Sequence, residues 1–315
     1  MTARAMRHLT APPRLRPGDR IELVAPSGPV KRTLVLAGAR RLEAAGYRVT
    51  FGRHVFDRRG HLAGRDEARA GDMNRALRDP DVRCVLMARG GYGAMRAAPE
   101  IDWDAMRRDP KIYAGFSDAT YFHCGFALRA GVRTLHGPNA QGFGSGSARE
   151  LARWIAWTAT PRPSLAHRTL RAPVRMAGSS RPATGRVLGG NLVLLHYAAL
   201  TGLLPPLRGS LLFLEEVNEA PYRVDGLLTG LLHAGSLRGL RGIALGGFTN
   251  CVPQKGHKEL PLRTVLHDHL AGLGIPVRRG VAAGHGARNI PFPLGARAVL
   301  DPRAKALVFE EGLVS

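Results

Sequence analysis

Apolar residues gather along this chain in short unbroken runs, separated by stretches where they recur every three or four positions. The runs over 20–25, 82–88 and 112–116 lack polar alternation, as expected of strands covered on both faces. Between them, 33–45 and 66–77 carry helical spacing, and Gly46 and the Asp79-Pro80-Asp81 turn mark their ends. With a short strand over 47–51, this alternation predicts a parallel sheet with helices on both faces. The pattern continues through a helix over 119–129 stopped at Gly131 and a strand near 132–136. A glycine- and serine-rich loop over 137–147 and a Trp-containing helix over 151–158 follow.

Periodicity fades over 160–184, where four prolines accompany arginine and serine, and the chain there reads as a crossing between domains. Beyond it, 185–191 reads as a strand and a tight glycine turn that starts a helix over 192–200. Strands over 211–214, 242–246 and around Val277, helices over 223–232 and 260–270, a loop over 282–292 and a hairpin from Val299 to 306–309 complete the pattern. The expected organisation is an N-terminal α/β domain over 1–150, a linker over 151–184 and a smaller mixed α/β domain over 185–315. A length of 315 residues suits two cores better than one.

The formal net charge of +22 brings nucleic acid, a membrane surface and an anionic substrate into view as partners. The arginines are spread along the chain, however, without a basic block interleaved with aromatics. Nucleic acid is therefore not expected as a partner, and the charge reads as an arginine-rich solvated surface. No run of eighteen apolar residues exists to span a membrane, and the basic, proline-containing first twenty residues lack the apolar core of a signal peptide. Cys84, Cys124 and Cys251 are far apart, have no C-x-x-C spacing and read as reduced core thiols. Cys124, seven residues after Ser117, is a rival nucleophile that its helix is expected to bury.

The candidate chemistry centres on 113–120, Tyr-Ala-Gly-Phe-Ser-Asp-Ala-Thr. Ser117 falls where a strand turns into a helix. A serine there is pushed out of the sheet, and the N–H that follows points at whatever the hydroxyl attacks. Gly115 gives room behind the turn, although a full G-x-S-x-G elbow would have glycine in place of Ala119. The plainer alternative is that Ser117 or Asp118 caps the helix. The strand over 82–88 runs into Arg89-Gly90-Gly91-Tyr92-Gly93, whose glycines permit positive φ and close backbone approach. Two loops on one sheet edge could then pair backbone amides with a hydroxyl, the arrangement of an oxyanion hole beside a nucleophile.

A serine hydroxyl needs a base, and histidine suits neutral pH. His285 lies in Gly284-His285-Gly286, in a loop after a strand. His267 and His269 face different ways on a helix, and His257 lies in a polar loop. A metal site from these has no third ligand, and neither metal nor cofactor is expected. The base in turn needs a carboxylate, for which Glu215, Glu216 and Glu219 are candidates. Adjacent strand residues point to opposite faces, so only one of Glu215 and Glu216 can reach a given histidine.

These segments, together with Gly189-Gly190-Asn191 and the run from Leu212 through Glu215-Glu216 and Pro221-Tyr222-Arg223 to Asp225, resemble in their order the LD-carboxypeptidase family, to which microcin C immunity peptidases are related. The resemblance covers the chain from about Leu15 to Val308. It implies a Ser117–Glu215–His285 triad, with an oxyanion hole formed by the N–H groups of Gly91 and Asp118. It also implies a cytoplasmic serine peptidase that takes the terminal D-alanine from murein tetrapeptides, acts as a homodimer and has an N-terminal domain resembling class I glutamine amidotransferases. A peptidase cutting aminoacyl-nucleotide conjugates is the related alternative. Arg89, Tyr92 and Arg223 are the candidates for contacting substrate. Two departures stand out: Glu215-Glu216 where the family commonly has Glu-Asp, and Gly226 where it commonly has Arg.

Overall fold

The computed structural model describes residues 8–256 and 258–315. The first seven residues and His257 lie outside the described residues. Two compact units emerge: 8–163 with 291–294 and 312–315, and 164–290 with 295–311.

In chain order the strands are β1 (Arg20–Val24), β2 (Arg48–Phe51), β3 (Val82–Met87), β4 (Ile112–Gly115), β5 (Thr134–His136), β6 (Thr169–Arg171) and β7 (Val174–Ala177). They continue with β8 (Ala183–Asn191), β9 (Leu211–Val217), β10 (Gly242–Thr249), β11 (Val277–Arg279), β12 (Phe292–Leu294), β13 (Arg297–Asp301) and β14 (Ala306–Phe309). The first unit holds a six-stranded sheet in the order β12-β5-β4-β3-β1-β2, parallel throughout except for β12, which runs antiparallel to β5. The unalternated apolar runs become β1, β3 and β4, and most of their residues are fully buried.

The glycine- and serine-rich stretch after β5, expected to be a loop, contains a helix, Ala140–Ser145, whose N-cap Asn139 accepts a hydrogen bond from the Gly142 N–H at 2.9 Å. Its glycines serve packing. A Cβ on Gly144 would lie 2.0 Å from the Leu34 carbonyl oxygen, and one on Gly38 would lie 2.0 Å from that of Ala140. Only glycine lets the helix Arg32–Ala44 and this one approach so closely.

The second unit holds an eight-stranded sheet in the order β6-β14-β13-β8-β9-β10-β11-β7. Strands β8 to β11 are parallel at its centre, and antiparallel strands flank them. The aperiodic stretch 160–184 supplies the helix Leu165–Arg168, both edge strands β6 and β7, and the start of β8. Gly189 and Gly190, expected in a turn, lie inside β8 at φ 130° and 145°. A Cβ on Gly189 would meet the Phe213 carbonyl oxygen at 2.0 Å, so a side chain there would push β9 away. Asn191 then ends the strand and caps the helix Leu192–Leu200. Among the described residues, no helix is long and apolar enough to cross a membrane.

Candidate active site

In the first unit, β4 ends at Gly115 and the helix Ala119–Gly125 starts four residues later. Ser117 sits in that turn at φ 64°, in the left-handed region that a side chain enters only at a cost of roughly 1–3 kcal/mol. This is the strained elbow that lifts a hydroxyl off a sheet edge. Ser117 is half-buried, whereas Asp118 is buried. The position that would hold glycine in a full elbow is Ala119, and the room comes from elsewhere: a Cβ on Gly115 would lie 2.9 Å from the Ala119 Cβ. Asp118, the N-cap of this helix, does not cap it through its side chain. The Asp118 carboxylate instead accepts from Ser27 Oγ at 2.5 Å and from the Ala94 N–H at 2.7 Å. Burial pushes Asp118 up to about 6, against the pull of those two bonds and of the Arg69 charge.

The glycine-rich segment after β3 packs onto this elbow. A Cβ on Gly90 would lie 2.9 Å from the Ser117 Cβ, so the backbone there runs directly behind the serine. Gly91, at φ 111°, lies against Gly28, whose N–H donates to the Gly90 carbonyl at 3.1 Å. Arg89 does not extend into open space, because its guanidinium donates to the Pro29 carbonyl at 2.7 Å. Tyr92 is exposed and rests on the His61 ring.

In the second unit, the ends of β9 and of the loop after β11 bring a carboxylate to a histidine. Glu215 Oε2 accepts from His285 Nδ1 at 2.7 Å and from the His285 backbone N–H at 3.2 Å. Glu215 is fully buried and the His285 side chain is about one-fifth exposed. Burial alone would lower the His285 pKa, but the hydrogen bond and charge of Glu215, with the nearby charge of Glu216, raise it above its ordinary value. Glu216 points the other way, as strand alternation requires, and accepts from Asn191 Nδ2 and from the Val193 and Val217 N–H groups, each at 2.8 Å. Burial pushes it up to about 7. Glu219 forms an ion pair with Arg223 at the start of the following helix. His269 pairs with Asp225 and His267 with Asp268. Among the described residues no group of three metal-ligating side chains forms.

The rival thiol is inert by position. Cys124 is buried, and burial pushes its thiol up to about 12.

Comparison with known proteins identifies the family. Residues 21–137 match the model of the LD-carboxypeptidase N-terminal domain, and residues 184–300 match that of the C-terminal domain. The chain belongs to the LD-carboxypeptidase family. It is 41% identical to a relative from Streptomyces coelicolor over 97% of each chain. It is 35% identical to the murein tetrapeptide carboxypeptidase of Pseudomonas aeruginosa over 90% of this chain and 93% of that one. Among solved structures, the microcin immunity protein MccF in complex with glutamyl sulfamoyl guanosine superposes with a TM-score of 0.86. That match covers 97% of this chain and 99% of the other at 22% identity, a likeness of fold.

Membership of the LD-carboxypeptidase family makes this a peptidase, and its site draws on residues that sequence patterning passes over. Ser27 shows in the sequence only as part of a loop at the end of β1. Arg69 looks like any other helix arginine, yet its side chain is buried and donates to the carbonyls of Pro26 and Gly93. Gly284, at φ 93°, is tied to the acid: a Cβ there would lie 2.5 Å from Glu215 Oε2.

Proposed function

We propose that this protein is a serine carboxypeptidase that removes the terminal D-alanine from murein tetrapeptides, cutting the bond between an L-configured diamino acid centre and D-alanine. Ser117 is the nucleophile, His285 the general base and Glu215 the carboxylate that holds the base. The observation that carries the reading is the Glu215–His285 hydrogen bond, which fixes the proton on Nδ1 and leaves Nε2 as the acceptor. The strained φ of Ser117 supports it, and the 35% identical murein tetrapeptide carboxypeptidase supports the substrate class.

In this mechanism Ser117 Oγ attacks the scissile carbonyl while His285 takes its proton. The oxyanion is held by the N–H groups of Gly91 and Asp118, each worth about 3–4 kcal/mol of barrier. His285 then protonates the departing D-alanine amine, and water, deprotonated by the same histidine, resolves the acyl-enzyme. Tyr92, being exposed, is the residue of the glycine segment best placed to touch substrate. Arg89 and Arg223 are the further candidates for contacting substrate, held by the Pro29 carbonyl and by Glu219. A homodimer and a cytoplasmic place of action complete the proposal as family expectations.

The test is mass spectrometry of a murein tetrapeptide incubated with the purified protein and with Ser117→Ala. Loss of one alanine residue with the wild type alone supports both the activity and the nucleophile. No loss with either, accompanied by hydrolysis of an aminoacyl sulfamoyl nucleoside, would replace the substrate class and keep the triad.

A further inference from the structure

We propose that the Asp118 carboxylate is a positioning group that sets the spacing of the two oxyanion donors. It does so by bolting the elbow that carries its own N–H to the glycine segment that carries the Gly91 N–H. This rests on the reading of Ser117 as nucleophile. One oxygen, Asp118 Oδ2, accepts both the Ala94 N–H at 2.7 Å and Ser27 Oγ at 2.5 Å. Ala94 is three residues after Gly91 and opens the short helix Ala94–Ala97. Ser27 precedes Gly28, whose N–H bonds to the Gly90 carbonyl at 3.1 Å and whose Cα lies 3.1 Å from where a Gly91 Cβ would be. Three loops from the ends of β1, β3 and β4 therefore converge on a single carboxylate oxygen.

Arg69 closes the arrangement from behind. It bridges the carbonyls of Pro26 and Gly93, and its charge faces Asp118 from the helix Asp66–Arg78. The Tyr113 hydroxyl, on β4, also senses the carboxylate. A helix cap needs none of this, and the carboxylate makes no cap bond to its own helix. Donors that act on developing charge must be held in place before the reaction, because a donor that has to move into position surrenders much of its effect. Loss of the bolt should therefore appear in kcat and leave KM nearly unchanged.

Three variants test this: Asp118→Ala, Asp118→Asn and Ser27→Ala, each assayed for D-alanine release with kcat and KM separated and melting followed in parallel. Asn keeps a carbonyl oxygen that can accept from both Ser27 and Ala94, so its kcat should stay within about threefold of wild type, whereas Ala should lose about tenfold or more. Ser27→Ala should fall between them, and combined with Asp118→Ala it should cost less than the product of the two, since both remove the same strut. A wild-type kcat in Asp118→Ala, or a loss confined to KM, overturns the proposal. If Asp118→Ala does not fold, a wild-type kcat in Ser27→Ala overturns it instead.

A second readout separates this proposal from the substrate assignment. A fluorophosphonate probe forms an Oγ–P bond at Ser117 and expels fluoride, and its rate, read by intact mass, depends on the same donors. Slower phosphonylation of Asp118→Ala upholds the bolt even if the tetrapeptide is not a substrate. Equal rates in wild type and Asp118→Ala overturn it. Absence of both labelling and cleavage in the wild type overturns the nucleophile and the bolt together.

Discussion

Glu215 Oε2 receives two hydrogen bonds from one residue, the Nδ1–H and the backbone N–H of His285, at 2.7 and 3.2 Å. The side-chain bond fixes the tautomer, and the backbone bond fixes the height of the loop that carries the ring. Glu215→Gln keeps the shape but presents an amide where a carboxylate is needed, which favours the wrong tautomer and removes the charge that stabilises the imidazolium. A fall in kcat of roughly 10³–10⁴-fold with a nearly unchanged KM is the expected outcome in steady-state D-alanine release.

The same pair sets the pH dependence. His285 must be neutral to act as a base, and the charges of Glu215 and Glu216 hold its pKa above the ordinary value despite burial. The acidic limb of kcat/KM should therefore lie above the ordinary histidine value of about 6.5, with activity rising as the pH increases through it. For stability the sign is reversed. A raised histidine pKa contributes stability that is fully present below the unfolded value and is lost as pH rises through the folded one. A pH–rate profile compared with melting temperatures over the same range checks both directions, and an acidic limb below about 6.5 would contradict the assignment of His285 as the base.

Gly284 and Gly286 flank His285 symmetrically in sequence but not in structure. Gly284 sits at φ 93° with Glu215 Oε2 2.5 Å from any added Cβ, whereas nothing lies within 4 Å of a Cβ on Gly286. Gly284→Ala is expected to cost about 1–3 kcal/mol of stability and to displace the acid from the base. Gly286→Ala should be close to wild type in both respects. Thermal melts and kcat for the two variants make the comparison.

Much of the sheet around Ser117 is legible in the amino-acid sequence alone. The unalternated apolar runs read correctly as covered parallel strands, because burial on both faces leaves no polar positions to confuse the period. The Ser117 elbow is legible because a strand run ends beside a helical one. Less legible is whatever depends on contacts distant in sequence. Gly144 reads as part of a loop because nothing in its own segment reveals that the helix Arg32–Ala44 presses against it. The strand Phe292–Leu294 is three residues long and pairs with β5, far back in the chain, so its own run gives no strand signal, and its first residue reads as the end of a loop. The choice between Glu215 and Glu216 needs the register of β9, because either can face the histidine until the strand's orientation is known. Asp118 stands out in the sequence for its N–H, while its carboxylate bonds Ser27 from 91 residues away.

Ser117 itself yields the last prediction, because its backbone stores strain. At φ 64° any residue with a Cβ is disfavoured, so Ser117→Ala removes the hydroxyl and keeps the strain, whereas Ser117→Gly removes both. Both variants should be inactive. Relief of roughly 1–3 kcal/mol is partly offset by the greater freedom of glycine in the unfolded chain, about 0.4–1 kcal/mol. Ser117→Gly should therefore be the more stable of the two by about 1 kcal/mol, and it should match or exceed the wild type. Chemical denaturation of all three proteins measures the difference directly. If Ser117→Gly proves less stable than Ser117→Ala, the strain at this turn is smaller than the freedom that glycine gains in the unfolded chain.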